Sequence, residues 1–379
     1  MRTRAYAASL VLALAAAPAA AQQTVKLFSI VELSGPGTTA GTNFKNGVEL
    51  AVKEVNAAGG ILGRRIATET YDTQTNPQTA KALAQKAVDS EAFAVMGPVF
   101  SGSIMVSMAE TRRAGVPNFT GGEAAGITLQ GNPYVFRTSF SQATGMPKLA
   151  NYLASGLKVK SVAIVWVNND FGKGGRDQMT KELAARNIKV AADVSTDQGQ
   201  VDFAAAVLRA KQANADALFV YLNEDESARI LRELRKQGYD RPIVGETTIM
   251  GQKVIDLAGE AANGVRGHVG LTIDAPNPAI RAFGAKFEKE YNYKSDHNGI
   301  KGYFAVFALK AATEKAGKLD RKAVAQALKN ACYKTAEHPG LLMDVCFDDK
   351  GDIDRESFLV EVKGGKQVVV ETLPPLSKR

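Results

Sequence analysis

Two cysteines, one tryptophan and three histidines are all that 379 residues carry of three scarce side chains. His268, His297 and His338 lack the spacing of a metal site, and no Cys-x-x-Cys is present for redox work. The nucleophile-elbow, zincin, P-loop and strand-linked dinucleotide motifs are absent too. That leaves no nucleophile–base pair, no catalytic residue, no metal and no cofactor to defend, so a secreted α/β enzyme is the weaker expectation. Charges are interspersed within a net +8, without the basic stripe and aromatic interleaving of a nucleic-acid surface. Past the N-terminal segment no apolar run is long enough to span a membrane.

What is present begins with an export pattern. Arg2 and Arg4 precede a short apolar run, Ala7–Ala17, and Pro18-Ala19-Ala20-Ala21 supplies a small-residue cleavage site. Residues 1–21 are therefore expected to be a cleaved signal peptide, leaving Gln22 first, with no cysteine for a lipid anchor. Outside the cytoplasm, Cys332 and Cys346 are expected to pair as a disulfide. Closing so short a loop stabilises by about 3 kcal/mol in the chain-entropy model, which suits a structural clamp. The chain from Gln22 onward is longer than one core usually spans, so two lobes are expected.

Apolar runs at 25–33, 65–71, 93–97, 116–119, 161–167, 189–194, 217–222 and 242–246 read as strands. Helical patterns lie between them near 43–58, 77–90, 102–114, 143–156, 172–187, 202–213 and 225–237. This alternation predicts an α/β fold of parallel sheets covered by helices. The order repeats, once over about 24–142 and again over 143–270, in pattern but not in sequence. Three more helices are predicted near 277–291, 299–315 and 321–331, then strands 357–363 and 366–372 turning at Gly364-Gly365.

Leu27–Gly37 forms a strand entering a Ser-Gly-Pro-Gly turn; a helix with Val48, Ala51, Val52 and Val55 then ends at Gly59-Gly60, and a second strand reaches Tyr71-Asp72. This opening resembles periplasmic solute-binding proteins of the leucine/branched-chain amino acid receptor family, and the resemblance extends over nearly all of the chain. It implies the type I periplasmic binding fold: two Rossmann-like lobes joined by a three-crossing hinge, here near 141–144, 267–272 and 348–352. Lobe 1 would comprise 22–142 plus 271–350, and lobe 2 would comprise 143–270 plus 351–379. A periplasmic monomer delivering a small-molecule ligand to an inner-membrane ABC permease is implied.

The resemblance also implies ligand-binding positions. In Met96–Ser103 a strand meets a helix, with Ser101 where an N-cap belongs and Gly102 and Ser103 beside it. On chemistry alone Ser101 is either a cap or a carboxylate contact; its alignment with the family's carboxylate-binding serine implies the contact. The next loop carries Gly122, Glu123 and Ala124, shorter by one residue than in amino-acid-binding relatives, which offer a carbonyl and a threonine there. Glu123 is either an acceptor for an ammonium group or a solvated loop carboxylate. Phe171 matches an aromatic that covers the ligand, whereas Trp166 reads as packing. Asn223 stands where branched-chain binders carry a tyrosine, and Thr247 where they carry the acid that pairs with the ammonium, with Glu246 one residue away. Asn298 is the candidate from the start of the last long helix; Lys301 is expected at the surface and Tyr303 behind. Glu224 and Asp225 read as a charged helix start. Asp348–Asp354 lacks EF-hand spacing and reads as a turn between lobes.

Three functions remain: an importer's binding protein for an amino acid or related carboxylate, a same-fold sensor, and a secreted enzyme. Branched-chain amino acids lead as ligand. Aromatic or other organic acids lacking an amine are the rival, because Asn223 and Thr247 depart from the amino-acid pattern.

Overall fold

The computed structural model describes residues 24–376, so the expected signal peptide lies outside the described residues. Five parallel strands form the first sheet: β1 (Val25–Val31), β2 (Ile66–Asp72), β3 (Ala94–Met96), β4 (Asn118–Thr120) and β5 (Val135–Arg137), in the order β2-β1-β3-β4-β5. Helices α1 (Thr38–Ala57), α2 (Pro77–Asp89), α3 (Ser101–Arg113) and the short α4 (Gly126–Leu129) connect them. On α1, Phe44, Val48, Ala51 and Val55 recur at helical spacing and are buried. Each large side chain so removed from water stabilises by about 1.5–3 kcal/mol.

The second layer opens with α5 (Gln142–Asn151), then runs β6 (Ser161–Val167), α6 (Asp170–Ala184), β7 (Lys189–Thr196), α7 (Ala204–Gln212), β8 (Ala217–Tyr221), α8 (Glu224–Lys236), β9 (Ile243–Gly245), α9 (Gln252–Ala258) and β10 (Arg266–Val269). The chain then returns to the first sheet with α10 (Pro278–Tyr291), α11 (His297–Ala316) and α12 (Arg321–Leu328). A small antiparallel sheet follows: β11 (Cys332–Tyr333), β12 (Val345–Phe347) and β13 (Ile353–Asp354). Cys332 faces Cys346 across it, and the two form a disulfide. Finally β14 (Ser357–Lys363) and β15 (Lys366–Leu373) complete the second sheet, β15-β14-β10-β9-β8-β6-β7, pairing antiparallel along its edge. The chain thus passes three times between the layers, and no helix of the described residues is long and apolar enough to cross a membrane.

Helices α1 and α11 fix the last long segment against the first sheet. A Cβ at Gly47 would collide with the carbonyl of Gly299, and one at Gly302 with the carbonyl of Phe44, so glycine permits this backbone approach. Helix α11 is buried over most of its circumference, which is why its sequence shows so little amphipathic pattern.

Several elements differ from the sequence expectation. Strands β5, β10, β11, β12 and β13 were not anticipated; with two to four residues each they are too short to display alternation. Helices α4 and α9 are similarly short, and α1 starts five residues before its expected start at 43. The segment Asp348–Asp354 is a turn: Asp348 Oδ1 accepts from the backbone N–H groups of Lys350 and Asp352, while Asp352 binds Arg137.

Candidate functional site

The strands' carboxyl ends converge on one cavity. Val99, Phe100 and Ser101 follow β3; Gly121, Gly122 and Glu123 follow β4; Phe171 follows β6; Asn223 and Glu224 follow β8; Thr248 follows β9. Ala40 of α1 and His297, Asn298 and Lys301 of α11 complete the lining. The free space left between these residues is small, about 30 Å³. Crevices at the carboxyl ends of parallel strands are where α/β folds take ligands.

The N-terminus of α3 supplies one end. Phe100 occupies its cap position, one residue before the expected Ser101, and its phenyl ring cannot accept the hydrogen bonds a cap requires. Glu32 holds the backbone just before the helix: its carboxylate oxygens accept from Val99 N and Phe100 N, each at 3.1 Å. Burial pushes the Glu32 carboxyl up to about 7 despite those two bonds. Ser101 is the first helical residue and its Oγ accepts from Ala124 N at 3.2 Å. Backbone N–H groups of the first helical turn have no intrahelical acceptor, and the helix dipole favours an anion beside them.

The loop after β4 is held from within. Arg137, fully buried, donates to the carbonyls of Gly122 and Ala124 (the latter at 3.0 Å) and to Asp352 Oδ1 at 2.8 Å. Ser139 Oγ also donates to the Gly122 carbonyl at 2.7 Å, and Gln142 N donates to the Glu123 carbonyl at 2.9 Å. Both lone pairs of the Gly122 oxygen are therefore engaged. Side chains of Ile104 and Ile127 crowd the Gly122 Cα, leaving no room for a Cβ.

Glu123 is not a solvated loop carboxylate. It is buried and receives Lys301 Nζ at 3.1 Å, and Lys301 also donates to Asn298 Oδ1 at 3.2 Å. Burial raises the Glu123 carboxyl above its usual range against the pull of Lys301. Lys301, expected at the surface, is buried with it. It stands three residues after Asn298, hence on the same helix face, and that spacing was the available signal.

The second layer brings an apolar wall and an acid. Phe171 stacks on Tyr221 with ring centroids 4.2 Å apart, while its carbonyl accepts from Gln142 Nε2 at 2.8 Å. Asn223 joins Glu226 in a capping box at the start of α8: its backbone N and its Nδ2 donate to Glu226 Oε2 at 3.0 and 2.8 Å. Glu224, read from sequence as part of a charged helix start, is buried; its Oε1 accepts from Asn298 Nδ2 at 3.2 Å and lies 3.8 Å from His297 Nε2. Burial, reinforced by nearby Asp296, pushes the Glu224 carboxyl up to about 8. Burial likewise holds His297 well below the usual imidazole range, so it is neutral. Asp296 caps α11 through Asn298 N at 2.7 Å, and burial raises it to about 6.

The end of β9 turns its acid away. Glu246 Oε1 meets His268 Nδ1 at 2.8 Å and its Oε2 accepts from the Thr247 backbone at 3.3 Å, neither residue lining the cavity. Thr248, not Thr247, reaches the lining. Trp166 packs behind, donating to Asp193 at 2.5 Å.

Of the positions expected from sequence, Ser101, Gly122, Glu123, Phe171, Asn223 and Asn298 line the cavity together. Gly102, Ser103, Ala124 and Thr247 do not. Glu32, Glu224, His297 and Thr248 were missed; Glu224 follows Asn223 directly, but charge at a helix start masked its burial.

A family model described as periplasmic binding protein matches residues 24–367. A Leu/Ile/Val-binding protein of Rhizobium johnstonii is 30% identical, covering 98% of this chain and 100% of that protein. Among solved structures, the branched-chain amino acid transporter substrate binding protein of Streptococcus pneumoniae, in complex with isoleucine, is 26% identical with a TM-score of 0.84, covering 93% of this chain and 100% of that one. A solute binding protein of an ABC transporter from R. palustris, in complex with benzoate, shares the fold with a TM-score of 0.85 at 24% identity, covering 94% of this chain and 98% of that one.

Proposed function

The chain belongs to the periplasmic binding protein family, and from that premise we propose that it is the solute-binding component of an ABC importer, capturing a branched-chain type amino acid or related small carboxylate. The observation that carries this reading is a small cavity lined from both layers at the ends of their strands. The ligand carboxylate sits at the start of α3 against Ser101 and the N–H groups of that first turn. Ala40, Val99, Phe100 and Phe171 give its side chain an apolar surround, where burying a short aliphatic group is worth about 0.8 kcal/mol per methylene. Closure of the two lobes over the ligand is the state an inner-membrane permease recognises, and the protein acts as a periplasmic monomer. A solute-binding role needs no bond-making residue, which suits a cavity built of a helix terminus, an aromatic wall and paired charges.

Isothermal titration of ligand-stripped protein with leucine, phenylalanine and their amine-free 2-oxo analogues tests the reading. Saturable binding of leucine without consumption supports it. Tighter binding of the oxo acids reassigns the ligand to carboxylates lacking an amine, the rival class. Turnover of any of the four refutes a purely binding role.

A further inference from the structure

The family resemblance leaves the amine of the ligand without an acceptor, because Thr247 replaces the expected acid. Neighbouring groups do not fill the gap. Glu246 faces His268, Glu123 is paired with Lys301, and the carbonyls of Gly122, Glu123 and Ala124 each accept from within the protein.

We propose that Glu224, with His297 Nε2 beside it, is the ammonium-recognition pair of this site, moved from the end of β9 to the end of β8. The proposal rests on the amino-acid reading above. Two independent observations meet there. Glu224 is a buried carboxyl in the cavity lining, supported by Asn298 Nδ2 at 3.2 Å. His297 lines the same cavity, is 3% exposed, and its buried Nε2 has no hydrogen-bond partner. A neutral imidazole carrying its proton on Nδ1 presents Nε2 as an acceptor. Carboxylate oxygen and imidazole nitrogen, 3.8 Å apart, can share one ammonium group between them.

The pairing has a proton consequence. Glu224 is protonated at neutral pH in the empty site, since burial holds it near 8. When an ammonium group arrives, the carboxyl O–H bond breaks and its proton leaves to buffer. The resulting carboxylate then accepts from ligand N–H. The groups facing Glu224 are Asp296, His297, Asn298 and Lys301 of α11, with Glu123 beyond Lys301 and Asp225 and Glu226 on its own helix. Asp296 titrates lower, near 6, Lys301 stays committed to Glu123, and Glu32, near 7, lies at the other end of the site behind Val99 and Phe100, so Glu224 is the group beside the ammonium that gives up a proton around neutrality. Affinity for an amino acid therefore rises with pH, by up to about tenfold per unit, and levels above about 8.

The test titrates wild type and Glu224→Gln with leucine and with 4-methyl-2-oxopentanoate, at neutral pH in two buffers of different ionisation enthalpy. The expected wild-type result is leucine binding with release of nearly one proton. In Glu224→Gln the release disappears, and leucine affinity falls at least about tenfold more than oxo-acid affinity, about 1.4 kcal/mol of selectivity. Leucine binding to wild type without proton release overturns the assignment and needs no variant to fold. So does a Glu224→Gln protein that keeps its leucine preference; either result leaves the importer role standing. If wild type takes only the oxo acid, or no α-amino acid at all, the amino-acid reading falls and this assignment with it.

Discussion

Asn298 and Glu224 meet across the cleft: Asn298 Nδ2, at the start of α11, donates to Glu224 Oε1, at the start of α8, at 3.2 Å. The two helices belong to different layers, so this bond exists only while the layers are together. Thr39 of α1 and Asp225 make a second such bond at 3.2 Å. The same Asn298 also accepts from Lys301, tying the closed arrangement to the Glu123–Lys301 ion pair.

Asn298→Ala removes the bond and leaves one oxygen of a buried acid and one proton of a buried ammonium unsatisfied. The expected result is ligand binding weakened by about 1–3 kcal/mol, mostly as faster release, with the free protein more open. Stopped-flow dissociation rates and small-angle scattering of the ligand-free protein check this. An unchanged off-rate removes Asn298 from the closure.

Ser101→Ala is expected to weaken carboxylate binding by about 1–2 kcal/mol, roughly tenfold in Kd. The fold should lose less, because what the change removes within the protein is the bond from Ala124 N, and Glu32 continues to hold the backbone before α3. Titration and chemical denaturation of the same variant separate the two effects. An unchanged Kd would show that Ser101 only orders the loop after β4.

Lys301→Met strands the buried Glu123 carboxyl without its cation. Breaking one side of a buried pair typically costs about 3–5 kcal/mol, whereas replacing both sides by neutral groups costs much less. Glu123→Gln in the Lys301→Met background should therefore recover most of the stability lost by Lys301→Met alone. Urea denaturation of the two single variants and the double variant gives the coupling. Additive losses would mean that the pair contributes little as a pair.

The contrast between legible and hidden features follows from the range of the interactions. The β14–β15 hairpin was readable because alternation and the Gly364-Gly365 turn are local signals, and the structure turns at those residues. The layered α/β architecture and the pairing of Cys332 with Cys346 were readable for related reasons, from pattern and from compartment. Lys301 was not. A lysine on a helix is usually solvated, but this one is buried against Glu123, a carboxylate 178 positions earlier in the chain. Glu32 was hidden in the same way: a carboxylate at the end of β1 serves a helix that begins nearly seventy residues later. For Glu246 and Thr247 the alternation of side chains at a strand end was legible, but neither lines the cavity; Glu246 meets His268 and Thr248 reaches the lining instead.

Glu32 gives the empty protein a pH-dependent stability of unusual sign for a carboxylate. Its folded-state value near 7 lies above the ordinary 4.5, so the native state binds this proton more tightly than the unfolded chain does. The stabilisation is fully present below about 4.5 and is lost as pH rises through about 7, at up to about 1.4 kcal/mol per pH unit within that window. Asp296 and Glu224, raised to about 6 and about 8, act in the same direction over their own windows. Below about 6.5 buried neutral His297 opposes them, so stability of the ligand-free protein should decline most clearly from about pH 6.5 to pH 8, a range in which salt-bridged surface acids are ionised in both states and would leave it flat. Glu32→Gln should remove its share of the slope between about 4.5 and 7 while leaving the part near 8, because Asp296 and Glu224 keep their own titrations. Urea midpoints measured across that range for both proteins decide the matter. A slope identical in the two would mean that Glu32 stays ionised throughout, held by Val99 N and Phe100 N strongly enough to overcome its burial.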